Sequence, residues 1–460
     1  MMKLTLREKT SYGIGAVSKD LVYSLVAGFL MYYYNAVLGI SATFIGVLFM
    51  AARLFDAFND PIMGVIIDKT KSRFGKFRPW LMAGTLINAV VLYFMFSIPT
   101  HLTGNDLLIY ASIAYILWGI TYTIMDIPYW SMIPSITEHG KDRENLSVIA
   151  RSSAGLGFAI PIALTMLLVP ILGDGNERLG FSRFAAIIAV VFIIGITITS
   201  FNVKEKVKTG QKNVTVKEMF YALIRNDQAL VVVIAIVVFN ASLYLTNQLA
   251  IYFFRFDIGN AALFGIFGTI GGAAQIISML FIPALRKKFS AKSIFIGGIL
   301  TTIFGYAILF TLGTLNVTNI GFLSVAAVII FIGFGIATVL TTVFLANSVD
   351  YGEWKNQHRT ESVIFSLQTF VVKLASAFSV LIAGVGLDLI GLDVDAPVQT
   401  ESTLLGLRLI MVVLPMIGLF ISILFFTKFY KLSESKLDEI SKDLKVRWEA
   451  EDALKGGEGS

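Results

Sequence analysis

The chain has 460 residues, of which 56% are apolar and only 15% charged, with a formal charge of +6. A soluble domain carries about 25% charged residues, so this composition, with a mean hydropathy of +0.77, excludes a water-soluble globular protein and implies a polytopic membrane protein. Cysteine is absent and histidine occurs three times, which excludes a disulfide framework or a thiolate site and leaves little for an HExxH-type metalloenzyme.

Twelve apolar segments are long enough to span a bilayer, which takes about 20 residues. They run roughly over 11–36, 42–68, 79–99, 107–134, 147–171, 181–202, 229–255, 261–284, 292–313, 317–346, 361–389 and 403–430. The residues before the first are mostly polar, and that segment is too long for a signal-peptide core, so no cleavable signal is expected. Basic residues alternate between loops. Lys3, Arg7 and Lys9 precede segment one, Lys69 to Arg78 follow segment two, Lys141 and Arg143 follow segment four, and Lys204 to Arg225 follow segment six. Arg286 to Lys292 follow segment eight, and Lys355 and Arg359 follow segment ten. The other loops hold His101, Asp106, Asp174, Asp257, Asp393 and Asp395 instead, with Arg178 as the exception. The positive-inside rule then puts both termini in the cytoplasm.

The longest connection divides the spans six and six. The expected organisation is an N-terminal bundle over 1–202, a cytoplasmic loop over 203–228, a C-terminal bundle over 229–430 and a cytoplasmic tail over 431–460. Basic loops in matching places suggest a parallel repeat, and two six-helix bundles around a midplane site are common among secondary transporters. In the tail, Leu437, Ile440, Leu444 and Trp448 recur at helical spacing.

Charges inside the spans carry the functional signal, since each costs about 2.5–3.5 kcal/mol at the bilayer centre on insertion scales. They are Lys19, Asp20, Arg53, Asp56, Asp60, Asp126, Arg151 and Lys373, four acids balanced by four bases. In segment two, Asp56 and Asp60 share a helix face, with Asn59 beside them and Arg53 one turn back. Two carboxylates and an amide carbonyl are hard oxygen donors for a small cation or a shared proton; a salt-bridged packing knot is the plainer alternative. Lys19 and Asp20 are adjacent, about 100° apart around a helix, and need not pair with each other. Tyr32, Tyr33 and Tyr34, further along, read as an interfacial aromatic belt.

In segment four, Tyr122, Asp126 and Trp130 lie one turn apart on one face. A carboxylate accepts adjacent sugar hydroxyls and a flat ring covers the apolar face of a pyranose; Pro128 frees a carbonyl nearby. Arg151 offers a planar fork to a carboxylate or to vicinal hydroxyls, or an ion pair to Asp20 or Asp126. Lys373, alone in the apolar segment eleven, requires a partner, and the segment-two carboxylates are the candidates; a purely structural bridge would account for it as well.

These residues, with Tyr12-Gly13, the stretch from Arg53 to Gly64, Ser72 to Trp80, Trp118 to Pro128, Val349 to Glu353 and Gln368 to Lys373, resemble the melibiose-permease-type carriers of the glycoside–pentoside–hexuronide cation symporter family, within the major facilitator superfamily. The motifs span nearly the whole chain, in order. The resemblance implies an all-α membrane fold of twelve transmembrane helices in two six-helix bundles. It also implies a secondary transporter, not an enzyme, that couples a cation to glycoside uptake, with an α-galactoside such as melibiose as the substrate.

It assigns the cation, Na+ with Li+ or H+ as alternatives, to Asp56, Asn59, Asp60 and Thr123. It assigns the galactoside to Lys19, Asp20, Tyr122, Asp126, Trp130 and Arg151, with Gln368, Thr369, Val372 and Lys373 on the facing helix. Gating positions are Gly64, Asp68, Arg73 and Arg78 in one cytoplasmic element and Asp350, Glu353, Arg359 and Glu361 in another. No cofactor beyond the coupling ion and no nucleic acid are expected. The expected setting is a monomer among lipids of the bacterial inner membrane.

The chain departs from the family at Ala27 and Thr338, where a tyrosine and a tryptophan are usual, and at the small serines flanking Arg151; these changes enlarge or depolarise the sugar pocket. A proton-coupled pentoside or hexuronide symporter on the same fold is the alternative. A lysolipid substrate, a membrane-embedded enzyme and a non-transporting sensor are further readings. The enzyme lacks a catalytic dyad at a membrane face, and vesicle counterflow would separate the sensor.

Overall fold

The computed structural model describes residues 4–136, 141–205, 224–356, 361–396 and 398–457. Helix accounts for 86% of the described residues. The helices are α1 (Leu6–Tyr32), α2 (Ala42–Lys69), α3 (Arg78–Phe96), α4 (Gly104–Ile136), α5 (Lys141–Leu172), α6 (Glu177–Asn202), α7 (Asp227–Tyr252), α8 (Ala262–Arg286), α9 (Ala291–Thr314), α10 (Ile320–Asn356) and α11 (Glu361–Leu389). α12 runs from Glu401 to Phe429 with a π turn inside it, and α13 is Glu434–Gly457. Among the described residues, eleven helices are long and apolar enough to cross a membrane. α2, of 28 residues, completes the twelve while carrying Arg53, Asp56 and Asp60.

Local chemistry sets the helix starts. Thr5 and Glu8 close a reciprocal capping box on α1, and Ser41, Asn226 and Ser290 each cap the helix they precede. α1 packs on α5 and α6, α3 on α4 and α6, α7 on α11 and α12, and α10 on α8 and α9. Three pairs of helices join the halves: most extensively α2 with α11, then α5 with α8, and more lightly α1 with α7. The first helix of each half ends alike. α1 continues into a π turn at Tyr33–Val37 and α7 into one at Phe253–Asp257. Each is followed by a left-handed glycine, Gly39 at φ 71° and Gly259 at φ 79°, a conformation that glycine adopts without steric cost. The matching turns are the clearest structural sign of a repeat.

Three expectations are corrected here. Tyr32, Tyr33 and Tyr34 are not a lipid-facing belt: all are buried. Their hydroxyls donate to Glu177, to the carbonyl of Phe96 and to the carbonyl of Ala111, because an interior phenol must find an acceptor. Asp257 is not a loop charge. Its side chain is 1% exposed and meets Arg408, 10% exposed, at 2.5 Å; the pair ties α7 to α12 and adds two charges to the interior set. α10 is longer than the 317–346 segment. Its 37 residues reach about 55 Å at 1.5 Å per residue, so its end projects beyond a hydrocarbon core of about 30 Å.

The tail forms a helix laid across that projecting end. Ile440 and Leu444 are buried, Trp354 donates to Asp443 at 2.9 Å, and Arg286 pairs with Glu434 at 2.5 Å. Hydrogen bonding from the Arg286 guanidinium holds the Glu434 carboxyl below the usual range.

Candidate functional site

The approach of α1 to its neighbours depends on small residues. A Cβ at Gly157 of α5 would strike the Val17 carbonyl, and one at Gly195 of α6 would strike Ser18, so backbones close in on both sides of Lys19. α1 is pinned to α4 by a reciprocal pair. Tyr12 donates to the Tyr129 carbonyl and Tyr129 to the Tyr12 carbonyl, with the rings stacked at 4.5 Å.

Lys19 sits inside this clamp, with its side chain 3% exposed. Its Nζ lies 3.1 Å from Asp20 Oδ2 and 2.9 Å from Asp126 Oδ1. Asp20 and Lys19 therefore do pair, because the lysine stem is long enough to fold back along the helix. Neither of those carboxylate oxygens has a hydrogen bond of acceptable geometry. The contact is coulombic, and their lone pairs stay available to a hydroxyl donor.

Trp130 is flanked by two cations, Lys19 at 4.7 Å and Arg151 at 4.4 Å from its ring centroid. The pairing of Arg151 with Asp20 or Asp126 does not occur: among the described residues it makes no such ion pair, since Lys19 already occupies both acids. Tyr122 is buried and donates to the Lys19 carbonyl at 3.3 Å, so its hydroxyl braces α1.

The second cluster lies between α2, α4 and α11. Asp60 Oδ1 accepts from Thr123 Oγ1 at 3.4 Å, a long bond, and Asp60 Oδ2 is ion-paired with Lys373 Nζ. Asp56 lies 3.9 Å from Arg53, and a Cβ at Gly119 would sit 3.5 Å from its Oδ1. Asn59 is half-buried on the same helix, and Val372 packs against the core beside Lys373. Both clusters are built on α4: Thr123 belongs to one and Asp126 to the other, one turn apart.

A cavity of about 630 Å³ opens between the halves, beyond the Lys19 cluster on the side away from the termini. Ala27 and Arg53 line it. Thr338 is not among the lining residues, and its hydroxyl donates to its own helix at Phe334, 2.7 Å away.

At the end away from the termini the halves are joined by residues that the sequence reading did not single out. Arg255 Nη1 donates to both carboxylate oxygens of Glu177, at 2.9 and 2.8 Å, and Gln248 donates to the Ala27 carbonyl at 3.1 Å. Asp388 of α11 accepts from Ser41 Oγ at 2.7 Å, the Ala42 amide at 3.2 Å and the Thr43 amide at 2.8 Å. That carboxylate caps the N-terminus of α2 from the other half. Ser41 ahead of an apolar run signals the cap, but nothing local signals its partner.

The expected gating residues fall at the opposite end. Arg78 donates to the Val203 carbonyl at 3.1 and 2.6 Å, and the Phe77 amide to Glu205 at 3.0 Å. The loop after α2 is thus fastened within its own half. Arg73 is exposed over Phe74, Gly64 is on α2, and Asp350 and Glu353 are on the projecting end of α10. Arg359 and the side chains of Asp68, Glu361, Gln368, Thr369 and Trp448 lie outside the described residues.

Twelve spans in two bundles, with one charged cluster inside the first and another bridging to the second, define the class: a multi-pass carrier of the major facilitator type. The chain belongs to the MFS/sugar transport protein family, whose model matches residues 11–434. It is 30% identical to the uncharacterized symporter YjmB of Bacillus subtilis (strain 168), over 96% of each chain. It is also 30% identical to the isoprimeverose transporter of Lactiplantibacillus pentosus, over 97% of this chain and 93% of that one. The fold resembles the inward-facing, unoccupied structure of a bacterial homolog of the lysosomal transporter Spinster, with a TM-score of 0.67 and 12% identity over 92% of this chain and 95% of that one. The chain is a sugar symporter of the glycoside–pentoside–hexuronide type, a transporter and not an enzyme.

Proposed function

We propose that this protein couples sodium to uptake of a glycoside, with an α-galactoside such as melibiose as the substrate. The observation that carries the reading is the sharing of α4 by the two clusters. Sodium binds among Asp56, Asn59, Asp60 and Thr123, with Li+ as a substitute. It takes over from Lys373 the neutralisation of Asp60, and α4 then settles with Asp126 turned to the sugar. Lys19, Asp20, Asp126 and Arg151 meet the hydroxyls, Trp130 covers the ring, and Tyr122 holds α1 in place. Val372 and Lys373, with Gln368 and Thr369 on the same helix, face the sugar from the second half. Any cation that improves sugar binding must itself be bound better by the sugar-loaded carrier. The halves rock about the loaded site, and Gly64, Asp68, Arg73, Arg78, Asp350, Glu353, Arg359 and Glu361 form the cytoplasmic gate.

The alternation of basic loops supports cytoplasmic termini, and the family resemblance supports a monomer in the bacterial inner membrane. A proton-coupled pentoside or hexuronide carrier is the second reading, favoured by Lys19 and Arg151 as cations for an acidic sugar. Uptake of a glycoside panel into proteoliposomes, with sodium, lithium or neither at two pH values, separates the two. Sodium-stimulated α-galactoside uptake that Asn59→Ala abolishes is expected. Uptake driven by a pH gradient alone overturns the sodium assignment.

A further inference from the structure

Three helical stripes lead from the charged cluster into the cavity. On α1 the stripe is Asp20, Tyr23 and Ala27; on α5 it is Arg151, Gly155, Phe158 and Ile162; on α4 it is Asp126, Tyr122 and Tyr115. Spacings of three, four and seven keep each stripe on one helix face. All but the charged residues and Tyr122 line the cavity. Ala27 stands about 10 Å along the helix axis from Asp20, at 1.5 Å per residue. The cavity is thus a continuation of the sugar site.

Its first-half wall is aromatic. Tyr23 lies 5.8 Å from Tyr122 and 6.4 Å from Phe158, and the Arg53 guanidinium sits 5.7 Å from the Tyr23 centroid. Its second-half wall brings Tyr244, Asn247 and Gln275 from α7 and α8. Gln248 is committed to the Ala27 carbonyl. The side-chain amides of Asn247 and Gln275 make no hydrogen bond among the described residues, and Asn247 is exposed into the cavity. Each amide offers a donor pair and an acceptor, which suits the hydroxyls of a ring lying across an aromatic wall. A volume of about 630 Å³ lies within the 300–1,000 Å³ usual for ligand sites.

We infer that Asn247 and Gln275 form a second glycosyl subsite, so that the substrate is a disaccharide or longer glycoside bridging both halves. This rests on the sugar-carrier reading above. Ala27 is the residue that leaves the passage open: a large side chain there would fill it. The first ring is held on α1, α4 and α5 with α11 facing it, and the second ring adds contacts on α7 and α8, which strengthens the link between occupancy and the second half.

The test is calorimetric titration of the purified protein in sodium with matched pairs, methyl α-galactoside against melibiose and methyl xyloside against isoprimeverose. Wild type should favour one disaccharide over its monosaccharide by about ten-fold or more, the scale of one or two hydrogen bonds. Asn247→Ala and Gln275→Ala should each erase most of that preference and leave monosaccharide affinity within about two-fold, the size of a minor contact. Ala27→Trp should exclude the disaccharide alone, and thermal unfolding of each variant checks that it folds. Equal affinity for both members of a pair in wild type, or equal loss of both in the variants, overturns the subsite. If only the xylose pair binds, the galactoside assignment falls and the subsite is judged on that pair. If neither pair binds, both fall.

Discussion

Asp388 closes one end of the molecule by capping a helix of the other half, and replacing it should loosen that seal. Its carboxylate accepts from Ser41, Ala42 and Thr43. Loss of a capping side chain costs about 0.5–2 kcal/mol, and a charge at a helix N-terminus adds about 0.3–1 kcal/mol. Asp388 is exposed, so solvent screening cuts the total to about 1–2 kcal/mol. That corresponds to a shift of about 5- to 30-fold between sealed and open forms. The chain has no cysteine, so a single Thr269→Cys in the cavity reports access cleanly. In Asp388→Ala, an impermeant maleimide added from the side away from the termini should react about 5- to 30-fold faster, with Asp388→Glu in between. Equal rates in wild type and Asp388→Ala would refute the capping argument.

The buried Arg408–Asp257 pair should behave as a unit. Asp257→Asn or Arg408→Met alone should cost about 3–5 kcal/mol, because either leaves a buried charge or its partner unmatched, and the double variant should cost less than the sum. Thermal unfolding in detergent measures this. Lys373→Ala should lower the unfolding midpoint by leaving Asp60 without its cation, and added sodium should recover more of that loss than it gains in wild type. No difference in the sodium effect would contradict competition between Lys373 and the coupling ion. Gly157→Val should abolish transport by forcing α5 off the Val17 carbonyl, whereas Gly155→Ala, which meets nothing within 4 Å, should be tolerated; uptake in cells with expression checked on a blot decides it.

Hydropathy and charge were enough to place every spanning helix, because a bilayer demands long uninterrupted helices and tolerates charge only where it is used. The projecting end of α10 escaped because Asp350-Tyr351-Gly352-Glu353 reads as a loop, although a helix that has left the membrane carries charge without penalty. The charged residues within the spans were legible one by one, and the meeting of Lys373 with a carboxylate of α2 follows from the cost of a lone ammonium in an apolar helix. Which partner each charge chooses was not legible. Lys19 takes both Asp20 and Asp126, leaving Arg151 for the ring of Trp130, and this depends on side-chain reach and on glycine-mediated helix approach. Asp257 with Arg408 and Asp388 with α2 join residues far apart in the chain, so no local pattern announces them. The tyrosines of α1 look interfacial by composition and are interior by packing.

Reciprocal titration tests the central claim most directly. Galactoside affinity is measured with sodium and with choline, and sodium affinity with and without galactoside, on one preparation. The account predicts that sodium tightens sugar binding and that sugar tightens sodium binding by the same factor, and that Asn59→Ala removes both effects while sugar binding persists. Galactoside binding of equal affinity in sodium and in choline would contradict it.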